Sequence, residues 1–157
     1  GQSALDVGMA RARRQEGAFS YPNACVLENE GRIAAMLLGY LLPAEMDVEK
    51  ETQGVPDFLV PLVELECLAP GTFYINAIAV YPEHRSKGYG SIRMAKDESL
   101  AREKGTKTLS LIAFEGNERA VKLYQRLGFD IVASRDVVRH ESNSHVGQEF
   151  LMTRTFS

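Results

Sequence analysis

The apolar positions of this chain fall into helix-spaced and strand-spaced runs separated by turn residues. From Ser3 to Glu16, Leu5, Met9 and Ala12 share one helical face, Ser3 can cap the start and Gly17 stops the run, which predicts a helix. Ala24–Glu28 reads as a strand, Asn29-Glu30-Gly31 as a turn, and Arg32–Leu42 as a long apolar strand with Gly39 marking a bulge. Together these predict a hairpin. Pro43–Gly54 is polar, acidic and aperiodic, so a surface loop is expected. Pro56–Leu68 is mixed: Pro56 can open a short helix, and Glu64 and Glu66 stand among Leu62, Val63 and Leu65. Ala69-Pro70-Gly71 is a turn.

The second half alternates strands with helices. Thr72–Val80 is nearly continuous and apolar, as in a strand buried on both faces. A basic, glycine-containing loop follows Pro82, then a run of helix formers from Ser91 to Lys104 closed by Gly105; Arg93 and Lys96 break its apolar spacing. Thr108–Phe114 is a second buried strand. Ala120, Leu123, Tyr124 and Leu127 then fall at i, i+3, i+4 and i+7, with Asn117 placed as N-cap and Gly128 as the terminal glycine. Phe129–Val138 and Gln148–Thr155 read as strands around a polar turn, Arg139–Val146, where His140 and His145 are expected in solvent. The order predicts an α/β (α+β) fold in one domain, 1–157: a mixed, mostly antiparallel sheet with flanking helices.

Composition narrows the function classes. The chain has 157 residues and a net charge of −3, so no basic field invites nucleic acid. No apolar run approaches the ~20 residues that span a bilayer, and no signal-peptide pattern opens the chain. Cys25 and Cys67 lie in apolar surroundings without zinc-ligand spacing, so both are expected as reduced, buried thiols in a cytoplasmic protein, and no metal site is expected.

The most informative stretch joins a buried strand to a helix through Arg85, Lys87, Gly88 and Gly90. A helix start offers unpaired N–H groups and the positive end of a dipole, glycines allow close backbone approach, and Arg and Lys add charge, which are the parts of a pyrophosphate cradle. No Lys-Ser/Thr follows the second glycine, as a P-loop requires. Position 93 is Arg, where the dinucleotide fingerprint needs glycine. Arg85-x-x-Gly88-x-Gly90 remains.

Val80-x-Pro82-x-x-Arg85-x-x-Gly88-x-Gly90 resembles the acetyl-CoA motif of the GNAT-type N-acetyltransferases. Asn117 and then Ala120-x-x-Leu123-Tyr124-x-x-Leu127-Gly128-Phe129 resemble the family's second signature. The resemblance runs from Ala24 to the C-terminus. It implies the acyl-CoA N-acyltransferase fold, with strands Thr72–Val80 and Thr108–Phe114 parallel and splayed. Acetyl-CoA would pair its pantetheine arm with the backbone of Asn76 to Val80, lined by Ile78, Ala79 and Val80. Arg85, Ser86, Lys87, Gly88, Tyr89, Gly90 and Ser91 would hold the phosphates, and Asn117 and Tyr124 would reach the thioester. The family opens with a strand that this chain lacks, and since it does not begin with Met, truncation is the simplest account.

Acetyl transfer to an amine needs a neutral nitrogen, a thioester held close, a donor to the oxyanion and a proton for the leaving thiolate. By the resemblance, Tyr124 supplies that proton, and a backbone N–H near Ala77 or Ile78 serves the oxyanion. Glu64 and Glu66 are the candidate bases, because a carboxylate among apolar residues has a raised pKa; pairing with Arg or Lys is the alternative for each. Tyr74 and Asn76 stand ready to orient a water or the acceptor. The expected function is N-acetylation of a primary amine on an unidentified small molecule or protein, with a homodimer plausible from exposed sheet edges. The runner-up is a CoA-binding regulatory module of the same fold without turnover. A nucleotide hydrolase is disfavoured by the missing Gly-Lys-Ser/Thr.

Overall fold

The computed structural model describes residues 3–85 and 89–157. In chain order the elements are α1 (Ala4–Ala12), β1 (Ala24–Asn29), β2 (Arg32–Leu41), α2 (Val48–Glu51), α3 (Val60–Cys67), β3 (Phe73–Val80), α4 (Tyr89–Glu103), β4 (Thr108–Phe114), α5 (Glu118–Arg126), β5 (Asp130–Asp136) and β6 (Gln148–Thr155). Short 3₁₀ turns precede β1, α3 and α4. The strands form a six-stranded, mostly antiparallel sheet in the order β1-β2-β3-β4-β6-β5, with one parallel pair and flanking helices. The predicted fold class is thus the observed one. The chain divides into two compact units, one of Gly1–Tyr40 with Ile75–Tyr89 and the other of Leu41–Tyr74 with Gly90–Ser157.

The first unit is built on the β1–β2 hairpin. Glu30 and Gly31 both take left-handed φ, 52° and 75°, the backbone of a two-residue hairpin turn whose twist matches the strands. Leu27 pairs with Ala35 but Glu28 with Ile33, so Ala34 is the extra residue of a bulge. The β1–β2 pairing runs to Leu38, short of Gly39. The bulge frees the Ala34 carbonyl, which accepts from the Tyr81 N–H at 3.0 Å just past β3. Helix α1 ends four residues earlier than the pattern suggests and leaves Leu5 71% exposed. Its start is held by a reciprocal box, in which Ser3 Oγ accepts from Asp6 N–H and Asp6 accepts from Ser3 N–H. Cys25 is half-buried in β1, against the expected full burial, because it sits on a strand whose residues alternate between exposed and half-buried.

The second unit carries a dense core of Leu65, Phe73, Leu109, Leu111, Phe129, Leu151 and Met152, each 2% exposed or less. Strand β6 runs antiparallel between β4 and β5, and its adjacent residues Leu151 and Met152 are both buried, so both faces are covered there. Helix α3 packs on β5 and β6. The expected loop Pro43–Gly54 contains the short helix α2, started by Asp47 accepting from Glu49 N–H. Helix α4 turns Met94, Asp97 and Ala101 inward, each 5% exposed or less. An aspartate at a core position explains why its apolar pattern reads weakly.

Helix α5 is bounded as its sequence predicts. Asn117 Oδ1 accepts from Ala120 N–H at 3.3 Å. At the other end Gly128 N–H bonds Gln125 O and Phe129 N–H bonds Tyr124 O, the paired bonds of a left-handed glycine cap, with Gly128 at φ 87°. A Cβ there would also meet Arg154 Nε at 3.3 Å. Gly128→Ala is expected to destabilise the protein by about 1–2 kcal/mol, since an L-residue pays for that φ, read as a lowered midpoint in urea unfolding; an unchanged midpoint would remove the cap from the stability account.

Candidate functional site

Strand β3 changes character along its length. Phe73, Tyr74 and Ile75 are 2–3% exposed, whereas Asn76, Ala77, Ile78 and Val80 are half-buried and Ala79 is exposed. The continuous apolar run is therefore not buried on both faces throughout. Apolar residues on a partly open strand form a surface that an extended ligand can pair with. Asn76 Nδ2 donates to the Tyr40 hydroxyl at 3.3 Å, which fixes that side chain.

Beyond β3, Arg85 Nε donates back to the Val80 carbonyl at 3.3 Å and pins the start of the basic loop. Ser86, Lys87 and Gly88 lie outside the described residues. Tyr89, Gly90 and Ser91 open helix α4, so the strand–loop–helix order required of a phosphate cradle is present. A cleft of about 720 Å³ lies beside this segment, with Asn29, Glu30, Arg32, Ile33, Tyr81, Glu83 and His84 along it.

Tyr124 stands in the last turn of α5, where its carbonyl accepts from Phe129 N–H and its ring meets the Phe129 ring edge-on at 5.8 Å. The glycine cap and that aromatic contact set the ring while leaving the residue half-buried. Asn117, expected at the thioester end, uses its side-chain oxygen as the α5 cap.

The two sequence-predicted carboxylates on α3 differ. Glu64 forms an ion pair with Arg135 Nε at 2.8 Å, and Arg135 Nη1 also donates to Ser134 O. Glu66 accepts from the Tyr74 hydroxyl, and burial raises its pKa above the ordinary carboxylate value; the Tyr74 hydrogen bond opposes this and the nearby Glu51 charge adds to it. Tyr74 is 2% exposed, so its partner is fixed by the core.

Sequence reasoning missed a third carboxylate. Glu149 on β6 is 3% exposed, and burial alone pushes its pKa up to about 7. Its signal was in the strand period: Glu149 is in phase with Leu151, an inward position. In register it faces Phe114 on β4 and Arg135 on β5. The β5–β6 turn lies close by, and its histidines are not simply solvated as expected. His145 stacks on Phe114 at 3.7 Å and His140 on Phe58 at 4.0 Å, because each imidazole finds a flat aromatic face. Among the described residues no cluster of His, Cys, Asp or Glu has the arrangement of a metal site, and no helix is long and apolar enough to cross a membrane.

The sequence model of the acetyltransferase (GNAT) family matches residues 5–129. An uncharacterized N-acetyltransferase of Bacillus subtilis, YycN, is 37% identical over 65 residues, 40% of this chain and 42% of that protein. The thialysine N-epsilon-acetyltransferase of Bos taurus is 40% identical over 55 residues, 35% of this chain and 32% of that protein. The matched segments thus span less than half the length of these curated relatives. A solved GNAT family acetyltransferase of Elizabethkingia anophelis with acetyl-CoA bound shares the fold at a TM-score of 0.59 and 16% identity, over 85% of this chain and 75% of that one.

Proposed function

The chain belongs to the acetyltransferase (GNAT) family, and from that premise we propose that it transfers acetyl from acetyl-CoA to a primary amine by direct attack. The family match over residues 5–129 carries this reading. Acetyl-CoA supplies the activated acyl group. The half-open stretch Asn76–Val80 suits a pantetheine arm added as an extra strand, against Ile78, Ala79 and Val80. By the family's motif the residues Arg85, Ser86, Lys87, Gly88, Tyr89, Gly90 and Ser91 suit the pyrophosphate, because a helix start at Tyr89 and the cationic residue types Arg and Lys favour its charge.

The amine arrives as an ammonium and must lose a proton before it attacks. Glu66 fits the base better than Glu64, because Glu64 is engaged by Arg135 while Glu66 is held by a neutral hydroxyl and has a raised pKa. The nitrogen then bonds to the carbonyl carbon, the C–S bond breaks, and Tyr124 delivers a proton to the departing sulfur and recovers one from the acylated nitrogen. The bovine relative acts on thialysine, as its name states, which favours a cationic amine as acceptor.

Calorimetric titration with acetyl-CoA, with NAD and ATP as controls, tests the premise. Saturable binding of acetyl-CoA alone is expected, followed by release of free thiol when amines are added. Failure to bind acetyl-CoA would overturn the reading, and binding without thiol release across amines would favour the non-catalytic CoA-binding module.

A further inference from the structure

We propose that helix α1 of one copy docks on the acidic segment Glu45–Leu59 of a second copy, and reciprocally, so that two copies close into a dimer. The inference is independent of the acetyltransferase reading above, and the surface is not the sheet edge that the sequence suggests.

A helix shorter than about 12–15 residues is marginal in water and holds only when one of its faces is packed. Helix α1, Ala4–Ala12, has 9 residues and carries Gly8 in its interior, the residue type that weakens a helix most after proline. Its capping box secures only the first turn. Val7 is half-buried, and every other residue from Leu5 to Gly17 is exposed. Leu5, Gly8, Met9 and Ala12 fall at i, i+3, i+4 and i+7, a stripe on the side of the helix away from Val7. Leu5 is 71% exposed and Met9 43%. Beyond the helix's own backbone, nothing described lies within 4 Å of the place that a Cβ on Gly8 would take. The stripe ends in a basic rim. Arg11 lies over the Phe19 ring at 6.0 Å, and Arg13 and Arg14 have no carboxylate partner among the described residues. Glu16 is the one acid in the stretch 11–16.

A complementary surface stands on the same chain. From Glu45 to Leu59 the carboxylates Glu45, Asp47, Glu49, Glu51 and Asp57 are all exposed. Lys50 is the one cation of this segment, and Asp47 holds it at 3.7 Å. Val48 and Leu59 are exposed in the same segment, at 40% and 38%. Apolar residues beside carboxylates match an apolar stripe rimmed by arginines, and the opposite charges select the partner and its orientation. Each copy carries one surface of each kind. Two copies related by a twofold axis therefore satisfy both pairs with neither left over, and the docked segment gives α1 the packing that a helix of its length needs.

Sedimentation equilibrium on the full chain tests this. Wild type is expected to dimerise, with association weakened on the order of tenfold between about 0.1 and 1 M salt, as screening shortens the reach of the charges. Arg13→Glu with Arg14→Glu, and Glu49→Lys with Glu51→Lys, should each be monomeric, because like charges then face each other. Mixed in equal amounts, the two variants should form a heterodimer, since both contacts again join opposite charges. A contact within one chain predicts no such rescue, because each variant keeps its own mismatched pair. Leu5→Ser with Met9→Ser keeps every charge and should weaken the dimer about tenfold or more through the lost apolar contact. A wild type that is monomeric at about 1 mM, charge variants that associate as tightly as wild type, or a mixture of folded variants that stays monomeric would each overturn the proposal. An undiminished dimer of the serine variant would also overturn it, by removing the α1 stripe from the contact.

Discussion

Tyr124→Phe should lower kcat by about 100-fold or more, the scale of a lost general acid, with acetyl-CoA affinity nearly unchanged. The Tyr124 backbone bond to Phe129 N–H and the edge contact with the Phe129 ring both survive in phenylalanine. On the proposed mechanism the substitution removes the proton for the departing sulfur. Steady-state turnover followed by thiol release, beside calorimetric acetyl-CoA binding, separates the two quantities. A parallel loss of both would make Tyr124 a binding residue, and no loss of either would remove it from the chemistry. The defect should also shrink with a thioester whose thiol is more acidic, because such a leaving group needs less help.

Glu149→Gln should stabilise the protein, and by an amount that grows with pH. The Glu149 carboxyl is raised from the ordinary 4.5 to about 7 by burial. Below 4.5 the group is protonated in folded and unfolded chains alike, and burial exacts no penalty for charge. Between 4.5 and about 7 the folded chain keeps a proton that the unfolded chain releases, so stability falls as pH rises. Above about 7 the buried group is ionised and the full penalty is present, on the order of 1–2 kcal/mol once the water that still reaches the carboxylate is allowed for. Glutamine is neutral throughout. Variant and wild type should therefore unfold at similar denaturant near pH 4.5 and diverge by up to that amount near pH 8. Urea titrations at both pH values decide it, and a gap that is constant with pH would mean that Glu149 is not the titrating group. A fold that carries such a cost at neutral pH keeps a charge where packing alone would place an apolar residue.

Local patterns explain why much of the architecture could be read from the chain. Helix α5 carries its stripe, its asparagine cap and its terminal glycine in one short stretch, and all three act where expected. The β1–β2 hairpin and strands β4 and β6 likewise follow from runs bounded by turn residues. The helix start after Gly88 and the carboxylates of α3 were also legible, since each depends on neighbours in sequence. Where the pattern misled, a distant partner intervened. Helix α4 buries Asp97 in line with Met94 and Ala101, which no amphipathic rule anticipates. The β1–β2 register also skips Ala34, whose carbonyl accepts from Tyr81, far along the chain.

The sequence by itself determined the element order, the caps, the helix start at Tyr89 and the residues of the two family signatures, because periodicity, propensity and short motifs are properties of contiguous residues. Only the tertiary structure decided how the acidic residues differ. Glu64 found Arg135, Glu66 found Tyr74, and Glu149 found no counter-charge among the described residues. Charge compensation depends on which strands and helices lie side by side, and so on contacts between residues far apart in the chain. Those contacts, and not residue type, set which carboxylate keeps its proton near neutral pH.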